Sequence, residues 1–362
     1  MRPPLLSVWP PLPPRAWTRG PRPLPYPLTE PGCRLYSRAR HGLWQGVRAL
    51  GLGPGDEVLV PAYHHGSEVE ALARAGLGVR FYDADERLAP AERSLERALG
   101  ERTRALHLIH YLGFPQDAAR WRAWADERGL LLLEDAAQAW LAHAADGPVG
   151  SHGDLAIFCL YKSVGVPDGA ALRTRAEPLP PDTPEELGAV GVLRKHALWL
   201  GGRSGLPAEA AARLRRGGPA PYVAADDFAL GEPATPPAPL SRFLLPRLRA
   251  DAVAEARRQR YRFLLDRLGE HVPTPFADLA EGASPFAFPL EVKGKEKVVA
   301  ALAERGVRPL DFWSVPHPAL PAGDFPAAAR RRARTVALPV HQELRRRDLE
   351  RVAAAAAAAL AR

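Results

Sequence analysis

Residues 130–138 carry the sequence Leu-Leu-Leu-Leu-Glu-Asp-Ala-Ala-Gln, in which four consecutive leucines run directly into two acids. A short continuous apolar run of this kind predicts a strand that is buried on both faces. The run at residues 155–161, Leu-Ala-Ile-Phe-Cys-Leu-Tyr, is followed by Lys162. Because functional groups of open α/β sheets gather at the carboxyl ends of strands, we expect Asp135 and Lys162 to share one cleft.

Lysine is rare in this chain, since only five of its 49 lysines and arginines are lysines. An amine can lose its proton and attack a carbonyl to form a Schiff base, whereas a guanidinium stays charged. A lysine and an acid at the ends of successive strands indicate a site for pyridoxal 5'-phosphate (PLP). Lys162 and Asp135 are therefore the candidate catalytic residues.

Short apolar runs alternate with helical patterns between residues 56 and 174, which is typical of parallel βαβ units. Strands are expected at residues 57–60, 79–82, 105–109, 130–134, 156–160 and 170–173. A helix is expected at 118–128, where Trp121, Trp124 and Ala125 share a face. These patterns predict an α/β fold with a mainly parallel central sheet flanked by helices.

The length of 362 residues suits a large and a smaller domain. Residues 1–30 are proline-rich and predict an extended N-terminal arm, residues 31–238 a large PLP-binding domain, and residues 239–362 a small C-terminal α+β domain. Other expected elements are a helical piece at 185–200, a long helix at 240–268, a strand at 286–292, a helix at 295–305 and a final helix after His341.

Composition narrows the class of protein. The sequence contains no run of about eighteen uncharged apolar residues, so it predicts no membrane span. Prolines interrupt the N-terminus, where a signal peptide would need an apolar core. Cys33 and Cys159 form no disulfide framework, which favours the cytoplasm. The net charge of +8 is dispersed, and its densest group, at residues 330–334, lies in an expected surface helix. We therefore expect no nucleic-acid partner, while phosphorylated small substrates stay open.

Two residues just after the 130–134 strand have side chains that suit the polar groups of the PLP ring. Asp135 would keep the pyridine nitrogen protonated, and Gln138 could donate to the ring hydroxyl. The alternative interpretation is that Asp135 only caps a following helix, where Asp is a favoured residue.

Two helix starts are candidates for the phosphate site. Gly66 and Ser67 precede an expected helix at 68–75, and such an N-terminus suits phosphate, although an ordinary cap is the alternative. His64 or His65 could stack on the PLP ring or lie in a surface loop. Arg40 opens a helix that runs to Leu50, and it is either a bidentate phosphate ligand or one more surface arginine.

Other kinds of site find no support in the sequence. The glycine-rich residues 51–55 precede a strand, so they do not form a dinucleotide fingerprint. There is no P-loop, no His-Glu-x-x-His and no Gly-x-Ser-x-Gly motif. His107 and His110 flank a strand end without further candidate metal ligands.

Over about residues 32–360 the chain resembles the DegT/DnrJ/StrS family of PLP-dependent aminotransferases. The motifs are Gly-Pro-Gly-Asp-Glu-Val at 53–58 with Val-Pro-Ala at 60–62, Ile-His-Tyr-Leu-Gly at 109–113, Glu-Asp-Ala-Ala-Gln-Ala at 134–139, Gly-Ser-His-Gly-Asp at 150–154 and Ala-Leu-Pro-Val-His at 337–341. The resemblance implies the fold-type I architecture, a homodimer with shared sites, and amination of nucleotide-linked keto-sugars with glutamate as donor.

The resemblance also implies roles for single residues. Lys162 corresponds to the Schiff-base lysine, Asp135 to the pyridinium partner and Gln138 to the ring-hydroxyl contact. Cys159 stands where the family usually has a phosphate-binding serine. His65 stands where an aromatic ring stacks on the cofactor.

Several segments depart from the family pattern. Arg40 and His41 occupy the small-residue turn that holds phosphate, and the Ser-Phe-x-x-x-Lys spacing is shortened at residues 159–162. Pro-Asp-Gly-Ala at 167–170 replaces Gly-Asp-Gly-Gly, and Ser241 and its neighbours replace a cross-subunit Asn-Tyr-Arg-Met element. These departures border the phosphate and substrate pockets and leave the ring-binding residues intact.

We expect the homodimer to use the region after residue 239. Ser241 or Arg242 would approach the partner's cofactor in place of the missing asparagine. Leu244, Leu245 and Leu248 would form an apolar stripe at the subunit interface.

The leading interpretation is an aminotransferase acting on a small-molecule ketone. One alternative is another PLP reaction, a dehydration or a condensation in secondary metabolism. The family's sugar dehydratases tend to replace the lysine, so Lys162 counts against dehydration. A further alternative is a non-catalytic regulator on the same scaffold, which loss of Asp135 or Lys162 would have supported.

Overall fold

A seven-stranded sheet lies at the centre of the computed structural model, which describes residues 5–181 and 228–361. In chain order its strands are β1 (Cys33–Tyr36), β2 (Glu57–Pro61), β3 (Gly78–Tyr82), β4 (Thr103–Ile109), β5 (Leu131–Asp135), β6 (Leu155–Cys159) and β7 (Ala170–Thr174). Their order across the sheet is β1-β7-β6-β5-β4-β2-β3. All six expected strands are present within two residues of their expected bounds.

The sheet is mainly parallel, as predicted. Strands β3, β2, β4, β5 and β6 run parallel to one another, whereas β7 is antiparallel to both β6 and β1. The chain returns from Cys159 to Ala170 through a connection that is too short for the crossover that a parallel strand requires. Asp135 pairs with Ile157, so the carboxyl ends of β5 and β6 lie side by side.

Helices cover both faces of the sheet, which confirms the α/β fold. The helices of this part are α1 (Ala39–Ala49), α2 (Ser67–Arg74), α3 (Glu92–Ala98), α4 (Ala118–Asp126) and the short α5 (Leu160–Ser163). Helices α1 and α2 pack on one face, and α3 and α4 pack on the other. Trp121 and Trp124 of α4 are both buried, as their shared face predicts.

The C-terminal part contains a second, antiparallel sheet of three strands. These are β8 (Ala287–Glu291), β9 (Leu310–Asp311) and β10 (Thr335–Pro339), with β10 in the middle. The helices are α6 (Pro239–Leu244), α7 (Val253–Leu268), α8 (Thr274–Ala277), α9 (Lys295–Glu304), α10 (Pro326–Arg334) and α11 (Arg346–Leu360). The strand and the two helices expected after residue 285 are therefore present. The three-part division of the chain at residues 31 and 239 stays a proposal.

The single long helix expected at residues 240–268 is wrong. The chain breaks between α6 and α7, where Leu248 is extended with φ −89° and ψ 140°. Pro246 explains the break, because its ring lacks an N–H donor and clashes with the preceding turn of a helix. Leu244, Leu245 and Leu248 are at most 6% exposed. They pack in a core of their own chain, so the expected interface stripe is wrong too.

The N-terminal arm is only partly extended. Leu6–Ser7 forms a short parallel strand beside Val307–Arg308, and Pro14–Trp17 is a 3-10 helix. Val8 packs in the core of the C-terminal part, whereas Ala16 packs beside the large sheet. The arm thus connects the two parts of the molecule across the site described below.

One arginine of the densest basic group is buried. Arg332 of α10 is 4% exposed and donates hydrogen bonds to the carbonyl oxygens of Ala62, His64 and Trp313 at 2.9 Å each. This helix is therefore not the fully solvated basic face that its sequence suggests. The helical piece expected at residues 185–200 lies outside the described residues. Within the described residues, 5–181 and 228–361, no helix has the length and apolar character to cross a membrane.

Candidate active site

An open cleft lies where the carboxyl ends of β5 and β6 meet the N-termini of α1 and α2. Its volume is about 210 Å³, several times the roughly 30 Å³ that one water molecule occupies, so it has room for a small organic molecule. Seven expected site residues line the cleft: Arg40, His65, Ser67, Asp135, Gln138, Cys159 and Lys162. His41, Gly66 and Ser241 do not belong to this lining.

Asp135, the last residue of β5, is buried at the floor of the cleft. Residues 137–141 form a turn and no helix begins there, so Asp135 is not a helix cap. Its Oδ1 accepts a hydrogen bond from the N–H of Ala137 at 2.9 Å. Burial, followed by the negative charge of Glu68, raises the pKa of Asp135 to about 7. Both causes disfavour the carboxylate over the neutral acid.

Lys162 lies in α5, directly after β6, with Nζ 5.8 Å from the centre of the Phe286 ring. Burial lowers the pKa of Lys162, but Cys159, Tyr161 and Asp135 outweigh this effect and raise the pKa above its usual value. The amine is therefore an ammonium ion at neutral pH. It must lose a proton before it can attack a carbonyl.

The amide of Gln138 is fixed by one backbone contact. Its Oε1 accepts a hydrogen bond from the N–H of Leu112 at 2.8 Å, and the residue is 6% exposed. Since the oxygen is used in this way, the NH₂ group is the part of the amide that can donate to a molecule in the cleft.

Two adjacent histidines take different places. His64 is fully buried, donates from Nδ1 to the carbonyl of Pro61 at 2.9 Å, and stacks on Phe81. His65 lines the cleft, with its ring perpendicular to Trp313 at 6.0 Å. Of these two histidines, His65 is therefore the one that faces the cleft.

The N-terminus of α2 carries a carboxylate of its own. Glu68 is 4% exposed and accepts hydrogen bonds from the N–H groups of His65 at 2.9 Å and Gly66 at 3.1 Å. Burial opposes ionisation, but the histidines nearby and the hydrogen bonds outweigh it, and the pKa of Glu68 lies below its usual value. The geometry therefore argues against Gly66 and Ser67 as the phosphate cradle, because a charged carboxylate already occupies this helix end.

The start of α1 is the positively charged end of the cleft. Arg38 directly precedes the helix, and its guanidinium lies 5.4 Å from the centre of the Tyr161 ring. Arg40 also lines the cleft, although its Nη1 donates to the carbonyl of Ala229 at 2.6 Å. Cys159 lies here too, with Sγ 3.8 Å from the Tyr161 hydroxyl. Cations and a helix N-terminus together favour an anion at this end.

Two expected ligands are committed elsewhere. His41 is 5% exposed, and its Nε2 lies 2.8 Å from the carbonyl oxygen of Leu230 while its Nδ1 lies 3.1 Å from Ser37 Oγ. Ser241 is 4% exposed, and its hydroxyl donates to Asp168 Oδ1 at 2.7 Å. This burial of the hydroxyl within its own chain argues against an approach of Ser241 to the partner's cofactor, and the expectation for Ser241 or Arg242 stays a prediction.

Glu134, the acid next to Asp135, has a structural role. It is fully buried and accepts hydrogen bonds from His110 Nε2 at 2.9 Å, from the N–H of Gly150 at 3.1 Å and from the N–H of His152 at 2.9 Å. Burial raises the pKa of Glu134, but His110 outweighs burial and the pKa is lowered overall. Glu134 thus anchors the segment between β5 and β6.

The cleft residues that the sequence did not indicate include Arg38, Trp9, Phe286 and Trp313. Trp9 belongs to the N-terminal arm, with ring-centre distances of 5.5 Å to Phe286 and 5.8 Å to Tyr161. No local motif marks Trp9, Phe286 or Trp313, because they reach the cleft through distant segments. Arg38 did have a signal, since it stands two residues before Arg40 at the same helix start.

Residues 36–181 match the DegT/DnrJ/EryC1/StrS aminotransferase family. UDP-N-acetyl-3-dehydro-alpha-D-glucosamine 3-aminotransferase of Acidithiobacillus ferrooxidans is 38% identical over 122 residues, which are 33% of this chain and 33% of that protein. The pleiotropic regulatory protein of Geobacillus stearothermophilus is 33% identical over 165 residues, 41% of this chain and 44% of that protein. The chain therefore spans less than half the length of either relative.

The solved structure of the aminotransferase TlmJ from Streptoalloteichus hindustanus matches with a TM-score of 0.68 at 22% identity, covering 99% of both chains. At this identity the likeness establishes the fold, which is the expected fold-type I architecture. The family resemblance drawn from the sequence motifs is also confirmed. The residues that match the DegT/DnrJ/EryC1/StrS aminotransferase family, 36–181, include Asp135, Gln138 and Lys162.

Proposed function

We propose that the protein is a PLP-dependent aminotransferase that transfers an amino group to a keto-sugar. The observation that carries this proposal is the meeting of Lys162 and Asp135 in one cleft, together with His65, Gln138 and Arg38. The amine of Lys162 would meet the aldehyde of PLP, and the acid of Asp135 would meet its ring nitrogen. The ring of His65 would face the PLP ring, the amide of Gln138 would donate to the ring hydroxyl, and the cation of Arg38 would bind the phosphate. PLP is the cofactor of this family.

Lys162 is the proton carrier in this proposal. Bound PLP would supply an electron sink for the carbanion that forms when the substrate carbon loses its proton. Nζ of Lys162, once deprotonated, takes that proton and returns it on the cofactor side. The ring of Phe286 lies 5.8 Å from Nζ, and Trp9 packs on the ring of Phe286.

Asp135 would keep a proton on the ring nitrogen. Its carboxyl group is buried and anchored by the N–H of Ala137, so it approaches the ring in one orientation. A cationic partner lowers the raised pKa of Asp135, because an opposite charge favours the carboxylate. Gln138 would donate from its NH₂ group to the ring oxygen.

The charges at the two helix ends support one position for the phosphate. The carboxylate of Glu68 accepts a backbone hydrogen bond at the N-terminus of α2, whereas Arg38 and Arg40 lie at the start of α1. An anion is repelled at the first end and attracted at the second. We therefore assign the phosphate to the α1 end, with Arg38 as its main charged partner and Cys159 close by.

A nucleotide-linked keto-sugar is the acceptor that we propose, since the A. ferrooxidans relative is named for a UDP-linked 3-keto-sugar. Trp9, Phe286 and Trp313 give the cleft an aromatic wall, on which the apolar face of a sugar ring packs well. Glutamate as donor and a homodimer are proposed on the family resemblance. Cys33 and Cys159 are both free thiols, which supports a reducing cytoplasm as the compartment.

The test is to reduce the PLP-loaded protein with borohydride and to map the labelled peptide. We expect the label on Lys162 and no fixed label in Lys162→Ala. Lys295 is the internal comparison, because its amine is paired with Asp311 at 2.6 Å and bonded to the carbonyl of Arg332 at 2.8 Å. A label on Lys195 or Lys295, or none with PLP in excess, would refute the proposal.

A non-catalytic regulator is the second candidate, because the G. stearothermophilus relative is named as a regulatory protein. Lys162 and Asp135 count against it, since a protein that performs no chemistry has no need of both. The loaded protein with glutamate alone separates the two functions. Conversion of bound PLP to pyridoxamine phosphate and release of 2-oxoglutarate indicate the aminotransferase, and stable PLP indicates the regulator.

A further inference from the structure

The helix that carries Lys162 is anchored by a residue far along the chain. Helix α5 has only four residues, so its last carbonyl groups find no partners within the helix. The Nη2 of Arg257 donates to the carbonyl oxygens of Lys162 at 2.8 Å and Ser163 at 3.1 Å. Arg257 belongs to α7, which follows Lys162 by about ninety residues.

The other two nitrogen atoms of Arg257 also donate hydrogen bonds. Nη1 donates to the carbonyl of Pro285 at 3.1 Å, and Nε donates to Gln342 Oε1 at 3.1 Å. Gln342 in turn donates from Nε2 to the carbonyl of Ser163 at 3.0 Å. Arg257 and Gln342 thus form a clamp from the C-terminal part that closes on the end of α5.

This clamp needs an explanation beyond stability. Arg257 is 0% exposed, and the groups that it binds are neutral carbonyls and an amide. Burial, followed by Arg260, lowers the pKa of Arg257 to about 9, so the guanidinium is still charged at neutral pH. A buried cation is costly to desolvate, and an apolar side chain would fill the space without that cost. The Nη2 of Arg257 binds the backbone carbonyls of Lys162, the candidate Schiff-base lysine, and of Ser163 next to it.

We propose that Arg257, with Gln342, is a positioning residue that fixes the backbone of Lys162 so that its amine meets the carbonyl of the cofactor. This inference rests on the proposed function of Lys162. A misplacement of about 1 Å costs up to roughly a hundredfold in rate when two groups must react in a fixed geometry. Loss of the clamp should therefore slow the reaction of Lys162 with PLP and leave the shape of the cleft unchanged.

Two ligands separate these effects. PLP carries the aldehyde that reacts with Lys162, whereas pyridoxamine phosphate lacks it and binds the same cleft without that reaction. Stopped-flow absorbance gives the rate of PLP attachment, and a fluorescence titration gives the Kd of pyridoxamine phosphate. Wild type is compared with Arg257→Met, with Gln342→Leu, and with Arg267→Met, which alters an exposed arginine of the same helix α7.

In Arg257→Met we expect PLP to attach to Lys162 at least about tenfold more slowly than in wild type, because the fixed geometry is lost, while the Kd of pyridoxamine phosphate stays within about twofold of the wild-type value. Gln342→Leu should show the same pattern more weakly, and Arg267→Met should match wild type. An unchanged rate in Arg257→Met, or equal losses for both ligands, overturns the inference. If Arg257→Met does not fold, an unchanged rate in Gln342→Leu overturns it. Failure of the proposed function looks different, because PLP would then not attach to Lys162 in wild type.

Discussion

His107 and Asp135 meet beneath the cleft, with Nε2 of His107 3.7 Å from Oδ2 of Asp135. His107 is fully buried, and neither ring nitrogen has a hydrogen-bond partner among the described residues. Burial lowers the pKa of His107 to about 4, so the imidazole is uncharged at neutral pH. His107 therefore gives Asp135 no cationic partner, while burial, followed by the negative charge of Glu68, raises the pKa of the Asp135 carboxyl group.

Asp135→Asn is expected to stabilise the protein without cofactor at and above neutral pH. The folded-state pKa of about 7 lies above the usual 3.8, so the neutral acid contributes stability that is full below pH 4 and is lost as the pH rises through 7. The loss amounts to at most about 4 kcal/mol, and asparagine does not undergo it. Urea unfolding at pH 5 and pH 8 measures the difference. The same pH dependence in both proteins would contradict a raised pKa.

The same variant should lose nearly all turnover. An amide cannot compensate the charge on a protonated ring nitrogen, so we expect Asp135→Asn to bind PLP but to react with glutamate several orders of magnitude more slowly. Single-turnover absorbance measures the rate. A loss below tenfold, or about 1.4 kcal/mol of barrier, would mean that Asp135 is only a structural acid. Asp135 would thus lower the stability of the protein without cofactor at neutral pH and yet be required for turnover. This combination is typical of an active-site residue.

The sequence was sufficient where structure follows from local pattern. The strands β5 and β6 are continuous apolar runs, and the rule that parallel strands end at one edge brings Asp135 and Lys162 together. Gln138 was found because it follows Asp135 by three residues, in the turn directly after β5.

Where long-range contacts decide, the sequence was not sufficient. Gly66 and Ser67 have the pattern of a phosphate cradle, but the side chain of Glu68 folds back onto their helix end. Ser241 was expected to reach the partner's cofactor, but it is bonded to Asp168 within its own chain. Arg257 shows the same limit, because nothing in its own segment indicates that it binds the backbone of Lys162.

Arg38→Met should weaken the binding of PLP and leave the binding of pyridoxal, which has no phosphate, within about twofold. The expected loss for PLP is at least about tenfold, because a charge-assisted contact to phosphate is worth roughly 1.5–3 kcal/mol. Absorbance titrations of both ligands give the two affinities. Arg48→Met is the matched control, since Arg48 lies in the same helix α1 but packs on Trp44 away from the cleft.

An equal loss for PLP and pyridoxal in Arg38→Met would contradict this assignment. In that case Arg38 would support the cleft through Tyr161, over whose ring its guanidinium lies. A selective loss in Arg40→Met instead would move the phosphate to Arg40.

Trp9→Ala is expected to impair the acceptor half of the reaction. Trp9 lines the cleft and packs at 5.5 Å on Phe286, whose ring lies 5.8 Å from the amine of Lys162. We therefore expect a sugar ring that reaches this amine to contact the indole. With UDP-N-acetyl-3-dehydroglucosamine as acceptor, we expect KM to rise about tenfold, from roughly 1.4 kcal/mol of lost apolar contact, while the glutamate half-reaction stays unchanged. Trp17→Ala is the control, because Trp17 lies on the same arm but is 51% exposed. Equal losses in both half-reactions would show that Trp9 supports Lys162 and does not contact the acceptor.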